Sequence, residues 1–317
     1  MEQARKQDLR EVMVQALIRA VDEGKNLVVV VSDSASTSQI GPFQSRFPER
    51  LVNVGIAEQN MMGIAAGLSL GGYTAVTANA APFATSRANE QLKNDICYSR
   101  TNVKVMGLNA GVAYGPLGST HHAIDDISIL RGLGNILIFA PSDPLEADGV
   151  FRYAFDYDGP VYVRMDNVTF PFLHEPGYHF QPGKVDILRE GKDLAIFSMG
   201  SVTWEAHSAG EALGRQGIRA EIVNVPSIRP ADPEGIYRSA LKTGRVLTVE
   251  EHSVHGGLGS LVSEVLAERG AGVRVSRLGI PEGEFSKAGP RSAIRAYYGI
   301  DKDGILRKAL EVLGRTA

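Results

Sequence analysis

Glu58 is the one acidic side chain in the run from Asn53 to Gly72, N-V-G-I-A-E-Q-N-M-M-G-I-A-A-G-L-S-L-G-G. The run reads as the end of a strand followed by a tightly packed helix. Gly63, Ala65, Ala66 and Gly67 leave little side chain, while Ile56, Met61, Met62, Ile64 and Leu68 spread apolar groups over most of the circumference, the pattern of a buried helix. A glutamate in a first helical turn ordinarily complements the helix dipole and faces water. In a buried helix its ionised form is costly unless partnered, so the pattern predicts either a raised pKa or a nitrogen nearby to share the proton. Either makes Glu58 a candidate for acid–base chemistry.

Asp33, Asn109 and Arg164 each follow a β-rich run, at residues 28–31, 103–108 and 161–163. In open α/β sheets ligands gather at the carboxyl ends of strands, so these residues can share one rim; a lone Asp or Asn there also commonly serves its own backbone. The glycine-rich loop 109–122 is long for a connection of this kind and ends in His121-His122. An imidazole titrates near neutrality. Adjacent histidines lack the i, i+4 spacing of a helical zinc pair, so no metal site is read here.

The elements that must place these residues alternate strand and helix periodicity, which predicts parallel sheets covered by helices. Leu9, Val12, Met13, Ala16, Leu17, Ala20 and Val21 fall on one helical face, with Gly24 as the stop. Strands are expected at 27–31, 74–77, 103–108, 136–139 and 161–163, forming one doubly wound domain over residues 1–168. Residues 169–184 contain Pro171, Pro176, Gly177, Pro182 and Gly183 and read as a crossing linker. Strands at 194–198, 220–225, 245–250 and 273–278 then form a second, smaller α/β domain over 185–317.

With 317 residues and 44% hydrophobic composition, the chain has material for two cores. A net charge of -3 with scattered Lys and Arg gives no footprint for nucleic acid. The single cysteine, Cys97, excludes an intramolecular disulfide framework and reads as a small core residue beside Ile96. The polar start at residues 1–6 is not that of a signal peptide. No apolar run approaches the roughly 20 residues of a membrane span, so the expectation is a cytoplasmic protein with no membrane partner. No G-x-S-x-G elbow and no convincing Cys–His pair support a hydrolase.

The segment G-I-A-E-Q-N-M-M-G-I-A-A-G-L closely resembles that of transketolases and other thiamine diphosphate enzymes. The resemblance continues in order through Arg87-Ala88, Asp95-Ile96-Cys97-Tyr98-Ser99, Val103-Lys104, Gly118-Ser119-Thr120-His121, Ala123-Ile124-Asp125-Asp126, Pro141-Ser142-Asp143, Glu250-Glu251-His252 and Gly256-Gly257-Leu258-Gly259-Ser260, nearly the whole chain. It implies a pyrimidine-binding thiamine diphosphate domain followed by a smaller transketolase C-terminal domain. It further implies that Glu58 meets N1′ of the cofactor's aminopyrimidine, that Phe83 packs against that ring, and that Asp33 lies among the cofactor-binding residues. His121 would contact substrate oxygens and assist proton movement, Asn109 would lie at the substrate, and Arg10 and Arg164 would hold a terminal phosphate through bidentate guanidinium contacts.

Three positions depart from the family's usual pattern. Ala80 replaces the first of two aromatics, Leu117 stands where an acid usually binds a sugar hydroxyl, and Asn109 where many relatives carry histidine. No Gly-Asp-Gly with a downstream Asn is present, so Mg2+ and the diphosphate would be held by a partner subunit, giving an α2β2 assembly with self-association through this chain. The resulting expectation is the C-terminal subunit of a split transketolase, moving a two-carbon ketol unit between sugar phosphates. Its rivals are the beta subunit of a thiamine-dependent 2-oxoacid dehydrogenase and a non-catalytic assembly subunit. The Gly-rich segment at 255–260 reads as close strand-to-helix packing rather than an anion cradle, and Glu250, Glu251 and His252 as structural or interfacial.

Overall fold

A computed structural model describes residues 6–167 and 169–315; of the polar start, residues 1–5 lie outside these, as does residue 168 at the expected domain boundary. Seven strands form the larger sheet, in the order Ser227–Arg229, Leu137–Phe139, Val161–Arg164, Val103–Leu108, Thr74–Ala80, Leu27–Val31, Leu51–Asn53. All are parallel except Ser227–Arg229, which runs antiparallel to Leu137–Phe139. A five-stranded sheet follows, in the order Arg274–Ile280, Arg245–Ser253, Leu194–Ser198, Ala220–Asn224, Asp186–Arg189, antiparallel only at the last pairing. The chain is thus α/β with two mostly parallel sheets. Ser227–Arg229 lies within the expected second domain yet pairs with the first sheet, so the division at 169–184 is crossed.

The central strands are uniformly buried because helices cover both faces. The Leu9–Asp22 and Pro144–Asp156 helices close one face around Met13, Leu17, Phe139 and Phe151. The first of these starts where Asp8 accepts from the Arg10 N–H at 2.9 Å and ends at Gly24, whose φ is +89°. On the other face one apolar cluster runs from Met61 and Ala65 through Ile138 to Phe197 and Val246 of the second sheet. The Glu58–Leu70 helix differs from its sequence reading: it buries Met61, Met62, Ala65 and Ala66, but Gly67 and Leu70 are exposed and Ile64 and Leu68 only partly covered. Within this chain it packs by one face. No helix among the described residues is long and apolar enough to cross a membrane.

Charged groups buried between the sheets fix the two halves together. Arg164 is 6% exposed; its Nε donates to Asp126 at 2.9 Å and its Nη2 to the carbonyls of Ala123 and Glu251 at 3.1 and 3.0 Å. Tyr162 donates to the same Asp126 at 2.7 Å. Glu251 accepts from the Val112 N–H at 2.8 Å and from Arg291 Nη2 at 2.8 Å, and Arg295 pairs with it as well. Burial pushes the Glu251 carboxyl up, but the two guanidinium groups outweigh it and hold it well below the usual carboxylate range. Arg291 also reaches Asp166 of the first half and Ser201 of the second, so a helix of the second half is tied directly to the first. Gly111 sits against this cluster at φ +63°, where a Cβ would overlap the Glu251 carboxylate.

The linker is pinned too. Thr169–Pro171 pairs antiparallel with Lys6–Asp8, and His174 bridges Asp143 through Nδ1 at 2.9 Å and Asp186 through Nε2 at 2.8 Å. Burial alone would depress the His174 pKa; the bonds to Asp143 and Asp186 push it up to about 10. A folded pKa above the unfolded value of about 6.5 makes this stabilisation full below that value and lost as pH rises toward 10. His174→Gln is therefore expected to cost about 2 kcal/mol at pH 7 and to flatten the loss of stability between pH 7 and 10, read by denaturant unfolding across that range; equal pH slopes in both proteins contradict the bridge. Gly111→Ala is expected to cost about 1–3 kcal/mol in the same measurement, and an unchanged midpoint contradicts the close approach to Glu251.

Candidate active site

Glu58 opens its helix immediately after Ala57, whose φ of -150° turns the chain out of the preceding extended segment. Its carboxylate is 4% exposed and accepts from Arg87 Nη1 at 2.8 Å. The nitrogen expected beside a buried carboxylate is therefore supplied from within the chain. A raised pKa is not: burial pushes the carboxyl up, but hydrogen bonds from Arg87, its own backbone and Asn79 outweigh it and hold it below the ordinary value. Asn79 lies near the end of the Thr74–Ala80 strand and also donates to Ser32 at 3.3 Å, tying the Glu58 wall to the neighbouring strand end.

The next turn, Phe83–Arg87, is π-helical, the wide i→i+5 winding that recurs at functional sites. It lays the Arg87 guanidinium over the Phe83 ring, 4.3 Å from the centroid. His121 meets Phe83 edge-on at 5.3 Å and Tyr114 at 5.5 Å, and its Nδ1 lies 3.0 Å from the Thr120 hydroxyl. The structure thus brings Glu58, Phe83 and His121 together through Arg87 and the ring contacts. Its neighbour His122 turns the other way, buried against Ser286 and the Gly115 carbonyl, and burial lowers its pKa so that it stays neutral. Only His121 faces the aromatic wall.

Asn109 follows the Val103–Leu108 strand at φ +56°, is 2% exposed, and its Oδ1 is buried with no hydrogen-bond partner. An orphaned buried acceptor is expensive and marks a place where a ligand donor belongs. Asp33 follows Leu27–Val31 at φ +53°; its N–H donates to Asn53 Oδ1 at 3.0 Å and its side chain is exposed. Ala80 is buried and Leu117 lies 55% exposed at a loop tip.

Both arginines are engaged within the chain. Arg164 spends Nε on Asp126 and Nη2 on two carbonyls between the sheets, so a phosphate there must compete with Asp126. Arg10 donates to Asp8 through Nε and Nη2 at 3.0 and 2.6 Å, to the Thr37 carbonyl at 3.1 Å and to the Asn167 carbonyl at 3.0 Å, so an anion there must compete with Asp8. The Gly-rich helix start is likewise occupied: Glu250 accepts from the Leu258 and Gly259 N–H groups at 2.7 and 2.9 Å, leaving no anion cradle. Sequence reasoning assigned no role to Arg87, Asn79 or Tyr114. Their partners are distant in sequence; the one local signal was an arginine four residues after Phe83.

These residues fit one part of a thiamine cofactor. A buried carboxylate beside an aromatic face suits a flat, hydrogen-bonding heterocycle such as an aminopyrimidine. Among the described residues no group of three or more His, Cys, Asp or Glu side chains is arranged to hold a metal ion. A groove of about 670 Å3 beside the first helix, lined by Glu11, Val14, Ile18 and Pro42 among others, contains none of the site residues.

Two families match the chain, the transketolase pyrimidine-binding domain over residues 5–169 and the transketolase C-terminal domain over 183–305. The chain is 52% identical over 304 residues to one of the subunits of the apulose-4-phosphate transketolase of Actinobacillus succinogenes, covering 96% of this chain and 98% of that protein. It is 39% identical to the protein of the same name from Phocaeicola vulgatus, covering 95% and 96%. A solved split-gene transketolase, described as an inactive beta4 tetramer, superposes with a TM-score of 0.87 at 35% identity over 98% of this chain and 99% of that one. The chain belongs to the transketolase family, as the counterpart of the subunit that carries the pyrimidine-binding and C-terminal domains of a two-chain enzyme.

Proposed function

We propose that this subunit transfers a two-carbon ketol unit between sugar phosphates with thiamine diphosphate, and does so only when joined to a partner that holds the diphosphate and Mg2+. The observation that carries this reading is the buried Glu58 carboxylate joined through Arg87 to an aromatic wall formed by Phe83 and His121. Bound thiamine diphosphate supplies the carbon nucleophile and electron sink that ketol transfer requires. This chain's part is to recognise the pyrimidine. Glu58 would bond ring N1′ and share the proton there. Phe83 would pack the ring, and the exposed Asp33 is assigned to cofactor binding.

His121 and the orphaned Asn109 Oδ1 are assigned to substrate oxygens and hydroxyls, His121 also to proton movement. Arg10 keeps a phosphate role only if the anion displaces Asp8, and Arg164 only if it displaces Asp126. The relatives' shared name makes apulose-4-phosphate the first sugar phosphate to test, and Asn109 and Leu117 are consistent with a substrate outside the common pentose phosphates. The open face of the Glu58–Leu70 helix, small at Gly63 and Gly67, is assigned to self-association, giving an α2β2 enzyme of carbohydrate metabolism in the cytoplasm.

Two other readings are weaker. A 2-oxoacid dehydrogenase beta subunit shares the two-domain plan, but the relatives and the solved structure described above are transketolases. A non-catalytic assembly subunit draws on one observation, that Arg87 neutralises Glu58 from within the chain.

In the assembled enzyme with Mg2+, thiamine diphosphate and apulose-4-phosphate, Glu58→Gln is expected to lower kcat by about 10²–10⁴-fold while the unfolding midpoint of the chain stays near wild type. Turnover within a few-fold of wild type contradicts the role of Glu58. An assembly whose wild-type form neither binds thiamine diphosphate nor depends on it favours the scaffold reading.

A further inference from the structure

Resting on that reading of the site, we infer that Arg87 is a gate for the cofactor: its guanidinium engages both groups that recognise the aminopyrimidine, so pyrimidine binding is an exchange reaction against this side chain. The guanidinium is planar, with nitrogens either side of a carbon, and donates to Glu58 Oε2 at 2.8 Å while its carbon lies 4.3 Å from the Phe83 centroid. An aminopyrimidine asks for the same two things, a hydrogen bond to the carboxylate and a flat contact with the ring. At the same carboxylate oxygen and on the same face of Phe83, the side chain and the heterocycle exclude one another.

The π-helical turn makes this double contact possible, because Phe83 and Arg87 are its first and last residues and Arg87 folds back over the ring. Arg87 is also free to leave. Its side chain is 49% exposed and is held by Glu58 and Phe83, whereas Glu58 is 4% exposed and fixed at the start of its helix. Arg87 thus keeps a buried carboxylate paired and ionised, and yields it to a ring that can share its proton. Gating follows from these two roles: a cation with a solvent route out, over a carboxylate with none.

The test is isothermal titration of thiamine diphosphate with Mg2+ into the assembled enzyme, for wild type, Arg87→Met and Arg87→Lys. Methionine keeps an apolar stem over Phe83 but cannot compete for Glu58; lysine keeps the charge but loses the planar fork. Removing one half-exposed ion pair and one cation–π contact is expected to tighten binding about five- to tenfold in Arg87→Met, with Arg87→Lys between Met and wild type. Unchanged or weaker binding in Arg87→Met overturns the gate, and weaker binding identifies Arg87 instead as a residue that positions Glu58 for the ring. Absence of binding in wild type defeats the thiamine reading itself, which separates the two failures.

Discussion

Buried carboxylates between two sheets govern this structure. Asp126 and Glu251 lie where the halves of the chain meet, each almost wholly shielded from water, and a carboxylate there is tolerable only when cations and hydrogen-bond donors surround it. Arg164 serves the first and crosses to the Glu251 carbonyl, Arg291 and Arg295 serve the second, Arg291 crosses to Asp166, and Glu251 itself accepts from the Val112 N–H. Neutralising the two acids therefore welds the halves together. The welding points are the ends of the loop that carries His121 and the strand end beneath it, so the second domain acts on the site without contributing a residue to it. Ser286 does likewise for His122, leaving His121 alone to face Phe83.

A third buried carboxylate, Glu58, is handled differently. Asp126 and Glu251 are locked by largely buried arginines, whereas the cation on Glu58 is half exposed and stacked on an aromatic ring. Locked pairs hold an architecture; a pair with one mobile member can be exchanged. That contrast, found beside the unpaired Asn109 acceptor and the Phe83 ring, agrees with the family to which the chain belongs.

Much of the fold was legible because the central strands are short, β-rich and buried on both faces, so that Leu27–Val31 and Leu194–Ser198 stand out as apolar runs. Edge strands were less so, although Arg274–Ile280 was expected at 273–278. Leu51–Asn53 is partly exposed, Asp186–Arg189 mixes charge with apolar residues, and Ser227–Arg229 joins a sheet whose other strands lie far earlier in the chain. At the site, Glu58 was legible because a lone acid in an apolar helix needs an explanation. Its partner was not, since Arg87 lies 29 residues away and only the π-helical turn brings it back. Arg164 shows the converse: its position at a strand end was legible, whereas its pairing with Asp126, 38 residues earlier, leaves no trace in local sequence. The Glu58–Leu70 helix reads as buried all round, and its uncovered face in this chain suits the second copy that the proposed assembly requires.

The central claim is that this chain supplies half of a cofactor site completed by another subunit. Native mass spectrometry of the protein, isolated gently from its source cells with magnesium and thiamine diphosphate present, tests it most directly. The account predicts a complex of two copies of this chain with two of a second subunit, holding thiamine diphosphate. A homo-oligomer without cofactor, under conditions in which the added thiamine diphosphate remains available, would contradict it.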